Sequence, residues 1–180
     1  MNLLTEMFDK FEKSACRIET LQQYKIVGNE WERYLSYTQG VPMKQYNAIG
    51  WADMLYSHKE HGKRVERIRV VPQKLNSYLV FEFEACYVQN IVAGENITVI
   101  NYSEYEKLIN SDTQGDYWIF DEKYLLFMEY TSEGEFIKSK LIDDDKIVTQ
   151  CVQLYNKLLK HSYPVNQVLS KIRNQQVEIF

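Results

Sequence analysis

The sequence contains few of the residues that interrupt or cross-link a polypeptide. Its 180 residues include 7 glycines, 3 prolines and 3 cysteines, and no internal repeat or low-complexity linker divides them. This scarcity of chain breakers leaves no visible boundary between domains, and the length is sufficient for a hydrophobic core. We therefore expect one compact domain.

The cysteines and the missing short motifs exclude several kinds of site. Cys16, Cys86 and Cys151 are far apart and form no Cys-x-x-Cys pair, so a structural zinc site is not expected. Their apolar neighbours instead predict buried thiols in a reducing cytoplasm. The sequence has no glycine-rich phosphate loop and no Gly-x-Ser-x-Gly motif, and we expect no cofactor.

The sequence also lacks a long apolar run and an excess of basic residues. No stretch approaches the length of a membrane span, and the N-terminus does not have the basic region of a signal peptide. The net charge of −4 argues against general binding of nucleic acid, which usually needs a basic surface. We expect a cytoplasmic protein that binds neither a membrane nor nucleic acid directly.

Tyrosine is abundant, with 14 copies in a chain of otherwise ordinary globular composition. Because a tyrosine has an apolar ring and a polar hydroxyl group, many of these side chains are expected at the edge of the core or in a partly wet cleft.

Hydrophobic periodicity predicts that helices and strands alternate along the chain. Helices are expected over residues 3–11, 30–37, 46–61 and 76–94, after the aspartates at 143–145, and after Pro164. Strands are expected over 15–21, 65–71, 97–100 and 136–142, with a hairpin over 117–130. Short connections imply β-α-β units with parallel pairing.

This order predicts a mixed α/β fold in a single domain. We expect a central mixed sheet of about five to six strands with helices on both faces. Residues 1–60 would form a helical N-terminal part with a first strand, residues 62–164 the core, and residues 165–180 a C-terminal helix.

Two of the helices carry predictions about their buried faces. The helix over 30–37 would bury Trp31, Tyr34 and Leu35. The helix over 76–94 would bury Leu79, Phe83, Cys86 and Tyr87, although Val80 and Phe81 leave a strand as the alternative.

Two groups of residues invite interpretation as metal sites. The aspartates at 143–145 precede a helix, where capping is the more common role of aspartate. His58 and His61, with Glu60 between them, have no evident third ligand, so a solvated helix end is expected instead. We predict no metal site.

The charged residues of two predicted strands alternate with apolar ones. Arg17 and Glu19 would share one face of the first strand, and Arg67 and Arg69 one face of the second. With Glu82 or Glu84, they could form an anion-binding cleft. The alternative, which we favour at this point, is a set of structural ion pairs on the solvent face of the strands.

The predicted hairpin adds aromatic and acidic candidates. Tyr117 and Trp118, beside Asp116 and Asp121, could stack on a planar ligand, although a core position is more typical of Trp118. The candidate ligand-binding residues are thus Arg17, Glu19, Arg67, Arg69, Glu82, Trp118 and Asp121.

An ordered set of segments resembles an uncharacterised bacterial family, known as a domain of unknown function. Members of that family are often encoded near helix-turn-helix regulators. The segments are residues 8–11, 15–21 with Tyr24, 62–71 (GKRVERIRVV), 78–83, 93–97 and 117–121. The resemblance implies a transcriptional regulator as a protein partner and brings no known activity.

Residues 62–164 are also similar in layout to one half of a phospholipase D-like domain. Active members begin the hairpin with His-x-Lys-x-x-x-x-Asp. If Asp121 matches that aspartate, Gln114 takes the place of the histidine nucleophile and Asp116 that of the phosphate-binding lysine. Glutamine is not a usable nucleophile and an aspartate repels phosphate, so the resemblance implies a fold without that catalysis.

The sequence therefore predicts a non-catalytic regulatory or interaction module. It would bind a small anionic ligand or a protein partner such as a helix-turn-helix regulator. One alternative is an enzyme that acts on a phosphodiester or nucleotide with relocated catalytic residues. A second alternative is a structural homodimer.

Overall fold

A seven-stranded sheet with the strand order β6-β5-β4-β1-β2-β3-β7 runs through the protein, in a computed structural model that describes residues 2–42 and 50–180. The strands are β1 (Ser14–Glu19), β2 (Arg64–Val71), β3 (Asn96–Asn101), β4 (Asp116–Phe120), β5 (Tyr124–Tyr130), β6 (Phe136–Ile142) and β7 (Tyr163–Pro164). Strands β1, β2 and β3 are parallel, whereas β4, β5, β6 and β7 pair antiparallel with their neighbours.

Helices cover both faces of this sheet. They are α1 (Leu3–Lys10), α2 (Asn29–Thr38), α3 (Trp51–Glu60), α4 (Ser77–Phe81), α5 (Val88–Ala93), α6 (Tyr102–Leu108), α7 (Asp145–Lys160) and α8 (Val165–Arg173). A six-residue π-helical turn, Glu82–Tyr87, joins α4 to α5 in one continuous helix. No helix in the described ranges is long and apolar enough to cross a membrane.

The predicted mixed α/β class is confirmed, and most predicted elements are present. The sheet has seven strands rather than five to six, because the two residues of β7 pair with β3. Strand β1, the first strand of the N-terminal part, lies between β2 and β4 near the centre of the sheet. Helix α8 ends at Arg173, and Glu178 forms a bridge with Lys74, so residues 174–180 do not continue the predicted helix.

Capping and backbone conformation account for several boundaries. Asn76 caps α4 by accepting a hydrogen bond from the Leu79 amide, and Gly94 ends α5 with a left-handed backbone at φ 113°. The helix interpretation of 76–94 is therefore correct and the strand alternative is wrong. Tyr46 and Ile49, which were part of the predicted third helix, lie outside the described residues.

Helix α2 is buried differently from the prediction. Trp31 and Leu35 are 45% and 37% exposed, whereas Arg33 is 3% exposed. The guanidinium group of Arg33 donates a hydrogen bond to the carbonyl oxygen of Ala85 at 3.0 Å, which gives the buried charge a polar partner. The amphipathic pattern of this helix was therefore misleading.

The two faces of the sheet have different interiors. One face carries a continuous apolar core with α6 and α7, built on residues such as Ile18, Ile68 and Leu158. The other face carries two apolar cores, one around Phe8 and Trp118 and the other beneath α4 and α8. Charged residues of β1 and β2 separate these two cores.

Candidate functional site

The charged residues lie on one face of the parallel strands because side chains alternate along each strand. Arg17 is the register partner of Arg67, and Glu19 is the register partner of Arg69. Arg17 also lies opposite Trp118 of β4. The guanidinium carbons of Arg17 and Arg67 are 5.4 Å and 5.8 Å from the centre of the Trp118 ring, which gives both cations an aromatic support.

Glu19 is the acceptor that joins these arginines. Its Oε1 is 3.0 Å from Arg17 Nη2, and its Oε2 accepts a hydrogen bond from Arg67 Nη1 at 2.5 Å. Tyr87 donates its hydroxyl proton to the same Oε2 at 2.7 Å. Arg69 adds a longer contact of 3.9 Å, so one carboxylate faces three guanidinium groups.

Two further glutamates complete the ion pairs of β2. Arg67 Nε donates to Glu95 Oε1 at 2.8 Å, and Arg69 Nε donates to Glu82 Oε2 at 2.9 Å. Arg69 is fully buried, and the other members of these pairs are at least nine-tenths buried. Breaking such buried pairs leaves an uncompensated charge, so the cluster is held together as a unit.

Burial and charge act differently on the two central glutamates. Burial by itself would raise the pKa of Glu19, but Arg17, Arg67 and Arg69 lower it well below the ordinary value. For Glu82, burial raises the pKa above the ordinary value, and Arg69 offsets this only in part. Glu19 is therefore the stable anion of the cluster, whereas Glu82 holds its charge less firmly.

Asp116 extends the cluster at the start of β4. Its Oδ1 accepts hydrogen bonds from the Thr20 amide at 2.9 Å and from the Thr20 hydroxyl, and its Oδ2 accepts one from the Tyr24 hydroxyl. Its Oδ2 is also 3.5 Å from Arg17 Nη2. The position that the phospholipase D resemblance assigns to lysine is thus filled by a buried carboxylate that faces an arginine.

The π-helical turn places two side chains of the covering helix over the cluster. In an α-helix, residues five apart point about 140° away from each other. The wider turn between Glu82 and Tyr87 lets both side chains reach β1 and β2, where they contact Arg69 and Glu19. Tyr78, one α-helical turn before Glu82, donates to Glu82 Oε1 at 3.1 Å.

A cavity of about 310 Å³ opens beside these ion pairs, and we call it the charged cleft. The charged residues in its wall are Arg17, Glu19, Lys25, Glu30, Arg67 and Glu82. Its aromatic residues are Tyr24, Trp51, Tyr78, Tyr87, Tyr130 and Phe136. Its volume is at the lower end of the range typical of small-molecule sites.

Each of the two arginines in the wall has an unused terminal nitrogen. Arg17 Nη1 and Arg67 Nη2 form no hydrogen bond with any residue of the described ranges. Arg17 is 8% exposed and Arg67 is 7% exposed, and both line the charged cleft. The cleft therefore presents two cationic donors, and Glu19 contacts the other terminal nitrogen of each arginine.

The nucleophilic side chains of the cleft are not activated. Burial, then the charges of Glu30 and Glu82, raise the pKa of the Cys86 thiol to about 12. Burial likewise raises the pKa values of Tyr24 and Tyr87 well above normal. No histidine is found among the described residues that line the cleft.

The structure brings together six of the seven candidate residues. Arg17, Glu19, Arg67 and Glu82 line the cleft, and Arg69 lies behind them. The solvent-face interpretation is wrong about exposure, because the helix containing the π-helical turn covers these strands. Trp118 is 1% exposed and supports the arginines, so it offers no surface to a stacked ligand. Glu84 lies apart and accepts a hydrogen bond from Tyr37.

Asp121 is not part of the cluster. It lies in the turn between β4 and β5, where its carboxylate accepts hydrogen bonds from the amides of Glu12, Lys13 and Ser14 at 2.8, 2.7 and 2.9 Å. It also lines a different groove, beside α1. Its position indicates a structural role in fixing the segment that leads into β1.

Sequence patterns did not reveal several members of the site. These are Tyr24, Glu30, Glu95 and Tyr130, whereas Tyr87 and Asp116 were named in the sequence but not assigned to the charged cluster. Glu95 follows the glycine that ends a helix, and Tyr24 lies within a segment that resembles the bacterial family; neither feature identifies a charged cluster. The high tyrosine content was the one signal, because four tyrosines line the cleft.

The residues considered as metal ligands have other roles. Asp144 caps α7 by accepting hydrogen bonds from the amides of Lys146 and Ile147, as predicted. His61 lies at the end of α3, where its Nδ1 is 2.7 Å from the Ser57 carbonyl oxygen. Within residues 2–42 and 50–180, no group of three potential ligands could hold a metal ion.

Several solved structures are similar to this chain, among them the three that follow. Nuc, a phospholipase D family member from Salmonella typhimurium, is 9% identical, with a TM-score of 0.52 over 90% of this chain and 88% of Nuc. TrmBL2, an archaeal chromatin protein, is 9% identical, with a TM-score of 0.48 over 89% of this chain and 48% of TrmBL2. Phosphatidylserine synthase from Haemophilus influenzae Rd KW20 is 12% identical, with a TM-score of 0.45 over 96% and 41% of the two chains.

The likeness to Nuc shows that the fold is phospholipase D-like. The chain spans less than half of the lengths of TrmBL2 and the synthase. A comparison with curated proteins found no sequence match. The family described as "Domain of unknown function (DUF6879)" matches residues 3–169, and this chain belongs to that family.

Proposed function

We propose that this protein is a non-catalytic ligand-binding module whose charged cleft takes a small anionic ligand. The observation that supports the proposal is the pair of unused terminal nitrogens, Arg17 Nη1 and Arg67 Nη2, in the wall of one cavity. An acid group with two oxygens can accept one charge-assisted hydrogen bond from each guanidinium group.

The existing ion pairs prepare the cleft for such a ligand. Glu19 and Glu95 hold the other nitrogens of Arg67, and Glu19 holds Arg17 at 3.0 Å. Because neither guanidinium group has to leave a partner or lose much rotational freedom, the cost of ordering these side chains is met before the ligand binds.

The alternative of an enzyme with relocated catalytic groups is less well supported. A phosphodiester-cleaving enzyme of this fold would need a nucleophile, yet the Cys86 thiol has a raised pKa of about 12. Gln114 and Asp116 take the places of histidine and lysine in the resemblance, and Asp116 is a buried carboxylate. Binding without bond cleavage fits these residues better.

A protein partner is a second candidate, and strand β6 favours it. This strand forms one edge of the sheet, and Phe136, Ile137 and Leu141 on it are exposed. Symmetric antiparallel pairing of two copies about Ser139 would place Lys138 opposite Lys140 twice, which is unfavourable. An acidic extended segment of a regulator is therefore a better partner than a second copy. Phe136 also lines the charged cleft, so a ligand there would touch this edge.

The binding proposal is tested by titrating acetate, phosphate and benzoate into the isotopically labelled protein and following amide chemical shifts. We expect at least one anion to shift signals around the cleft. Arg17→Gln should abolish these shifts, whereas Arg64→Gln, which removes an exposed guanidinium group, should leave them intact.

Two further measurements separate a loss of binding from a loss of folding and test for catalysis. Ile26→Trp adds bulk at the cleft wall without changing a charge, and it should weaken binding even if Arg17→Gln unfolds the protein. Hydrolysis of a chromogenic phosphodiester that falls on Arg67→Gln would overturn the non-catalytic proposal. Absence of any shift at the cleft with all three anions would overturn the anion-binding proposal.

A further inference from the structure

The charged cleft has features that restrict the class of its ligand, and this inference rests on the proposed function above. We propose that the cleft is selective for a small aromatic acid with a single negative charge. The inference rests on one pair of arginine donors that lies among opposing carboxylates and tyrosine rings.

The charge balance of the cluster limits the charge of the ligand. The buried cluster of the described residues contains three arginines and four carboxylates, namely Arg17, Arg67, Arg69, Glu19, Glu82, Glu95 and Asp116. The cations are therefore already matched by acidic groups. A second negative charge on the ligand would repel these buried carboxylates.

The charged residues at the cleft mouth do not change this balance. Lys25 is paired with Glu135 at 2.9 Å, so its ammonium group is already engaged at the surface. Glu30 also lines the cleft, and the positive charge of the buried Arg33 acts on its carboxyl group. A monoanion gains the two arginine donors at the lowest repulsive cost.

Three of the four tyrosines of the cleft offer rings rather than free hydroxyl protons. Tyr24 donates its proton to Asp116, Tyr78 to Glu82 and Tyr87 to Glu19. Tyr130 Oη accepts a hydrogen bond from Arg17 Nη2 at 3.4 Å and keeps its own proton. Because three of the four hydroxyl protons are engaged, most of the tyrosine surface in the lining favours an aromatic or apolar body through ring contacts.

The volume of the cleft sets the size of this body. A cavity of about 310 Å³ corresponds to roughly ten water molecules in the liquid. This space suits an acid with one or two rings. Larger polycyclic or nucleotide-sized ligands would have to extend into solvent.

Four probe molecules separate the contribution of the ligand's negative charge from that of its aromatic ring. Benzoate carries one negative charge on a ring, phenyl phosphate carries nearly two at pH 7.5, acetate has no ring, and benzamide has no charge. Dissociation constants would be measured by amide chemical shifts at constant ionic strength. We expect benzoate to bind at least tenfold more tightly than each of the other three.

The outcomes distinguish this inference from the proposed function. If phenyl phosphate binds as tightly as benzoate, the inferred charge selectivity is wrong while anion binding stands. If acetate binds as tightly as benzoate, the inferred aromatic body is wrong. If benzamide binds as tightly, the arginine pair does not recognise the ligand. If no anion shifts cleft signals, the proposed function itself fails.

A variant tests the charge argument directly. Glu95→Gln keeps the shape of the side chain that contacts Arg67 Nε and removes one opposing charge. It should reduce the preference for benzoate over phenyl phosphate severalfold, whereas Glu104→Gln on the exposed side of α6 should leave the ratio unchanged. An unchanged ratio in folded Glu95→Gln protein would count against the charge argument.

Discussion

Arg17 and Arg67 lie directly opposite each other on neighbouring parallel strands, and both guanidinium groups lie near the ring of Trp118. Like charges at opposite positions of a sheet are destabilising by themselves. The pair is retained because the Glu19 carboxylate contacts both cations. Glu19 is therefore the acidic group that these two arginines share, beside the separate contacts of Arg67 with Glu95 and of Arg17 with Asp116.

Removal of the Glu19 charge should destabilise the protein strongly. Glu19→Gln keeps the side-chain shape but leaves three arginines with less compensation, which should cost about 3–5 kcal/mol of unfolding free energy. Glu129→Gln, which removes half of an exposed ion pair with Lys138, is the control and should be nearly neutral. Urea unfolding followed by circular dichroism measures both. Equal stability of the two variants would contradict the central role of Glu19.

Asp121 should make the free energy of unfolding decrease at low pH. Burial alone would raise its pKa, but the amides of Glu12, Ser14 and Lys13 lower it below the ordinary value. Its carboxylate thus stabilises the folded state above the pKa of an unfolded aspartate, and this contribution is lost as the pH falls through the folded pKa.

Asp121→Asn provides the corresponding measurement. Asparagine tolerates the left-handed backbone of this position (φ 52°), so the turn should persist. We expect a loss of about 1–2 kcal/mol near pH 7. The difference from the wild-type protein should shrink below about pH 4. A pH-independent difference in urea unfolding would show that the charge is not responsible.

Gly134 should tolerate no side chain, because the backbone of the segment before α2 lies against it. A β-carbon at Gly134 would be 2.4 Å from the Gln23 carbonyl oxygen, at a backbone φ of 79°. Gly62 has a similar φ of 71° but no atom within 4 Å of the added carbon. Gly134→Ala should therefore be about 1–3 kcal/mol less stable than Gly62→Ala. Thermal unfolding of the two variants measures this difference, and equal midpoints would disprove the close contact.

Cys86 should react slowly in the folded protein. Burial, then the charges of Glu30 and Glu82, raise the pKa of this thiol to about 12, so very little thiolate is present at pH 8. Alkylation by iodoacetamide, followed by mass spectrometry, should be far slower than for a free thiol such as glutathione. Glu30→Gln should accelerate it, because the Glu30 charge is one cause of the raised pKa. Rapid labelling of the wild-type protein at neutral pH would instead support the enzyme alternative.

The fold and part of the site could be predicted because they follow local patterns. Alternation along β1 and β2 was sufficient to place Arg17 with Glu19 and Arg67 with Arg69 on common faces. Their burial could not be predicted, since it depends on a helix that begins at Ser77 and covers those strands.

Other differences between the sequence-based predictions and the structure also have physical reasons. The contacts of Asp121 join positions more than 100 residues apart in sequence, and no local pattern contains that information. Helix α6 was missed because its apolar periodicity is weak, although Asn101 supplies an N-terminal cap. Arg33 is buried because it finds a carbonyl oxygen of the helix containing the π-helical turn, a partner that only the tertiary structure supplies.

The π-helical turn between Glu82 and Tyr87 has a consequence for the divergence of this family. It contains one residue more than an uninterrupted α-helix would use for the same turn. A homologue that lost one residue there would close the turn into an α-helix, in which its equivalents of Glu82 and Tyr87, four residues apart, would still share one face. A one-residue difference in length at this turn is therefore compatible with the arginine cluster, whereas substitution of Glu82 or Tyr87 would remove a hydrogen bond within it.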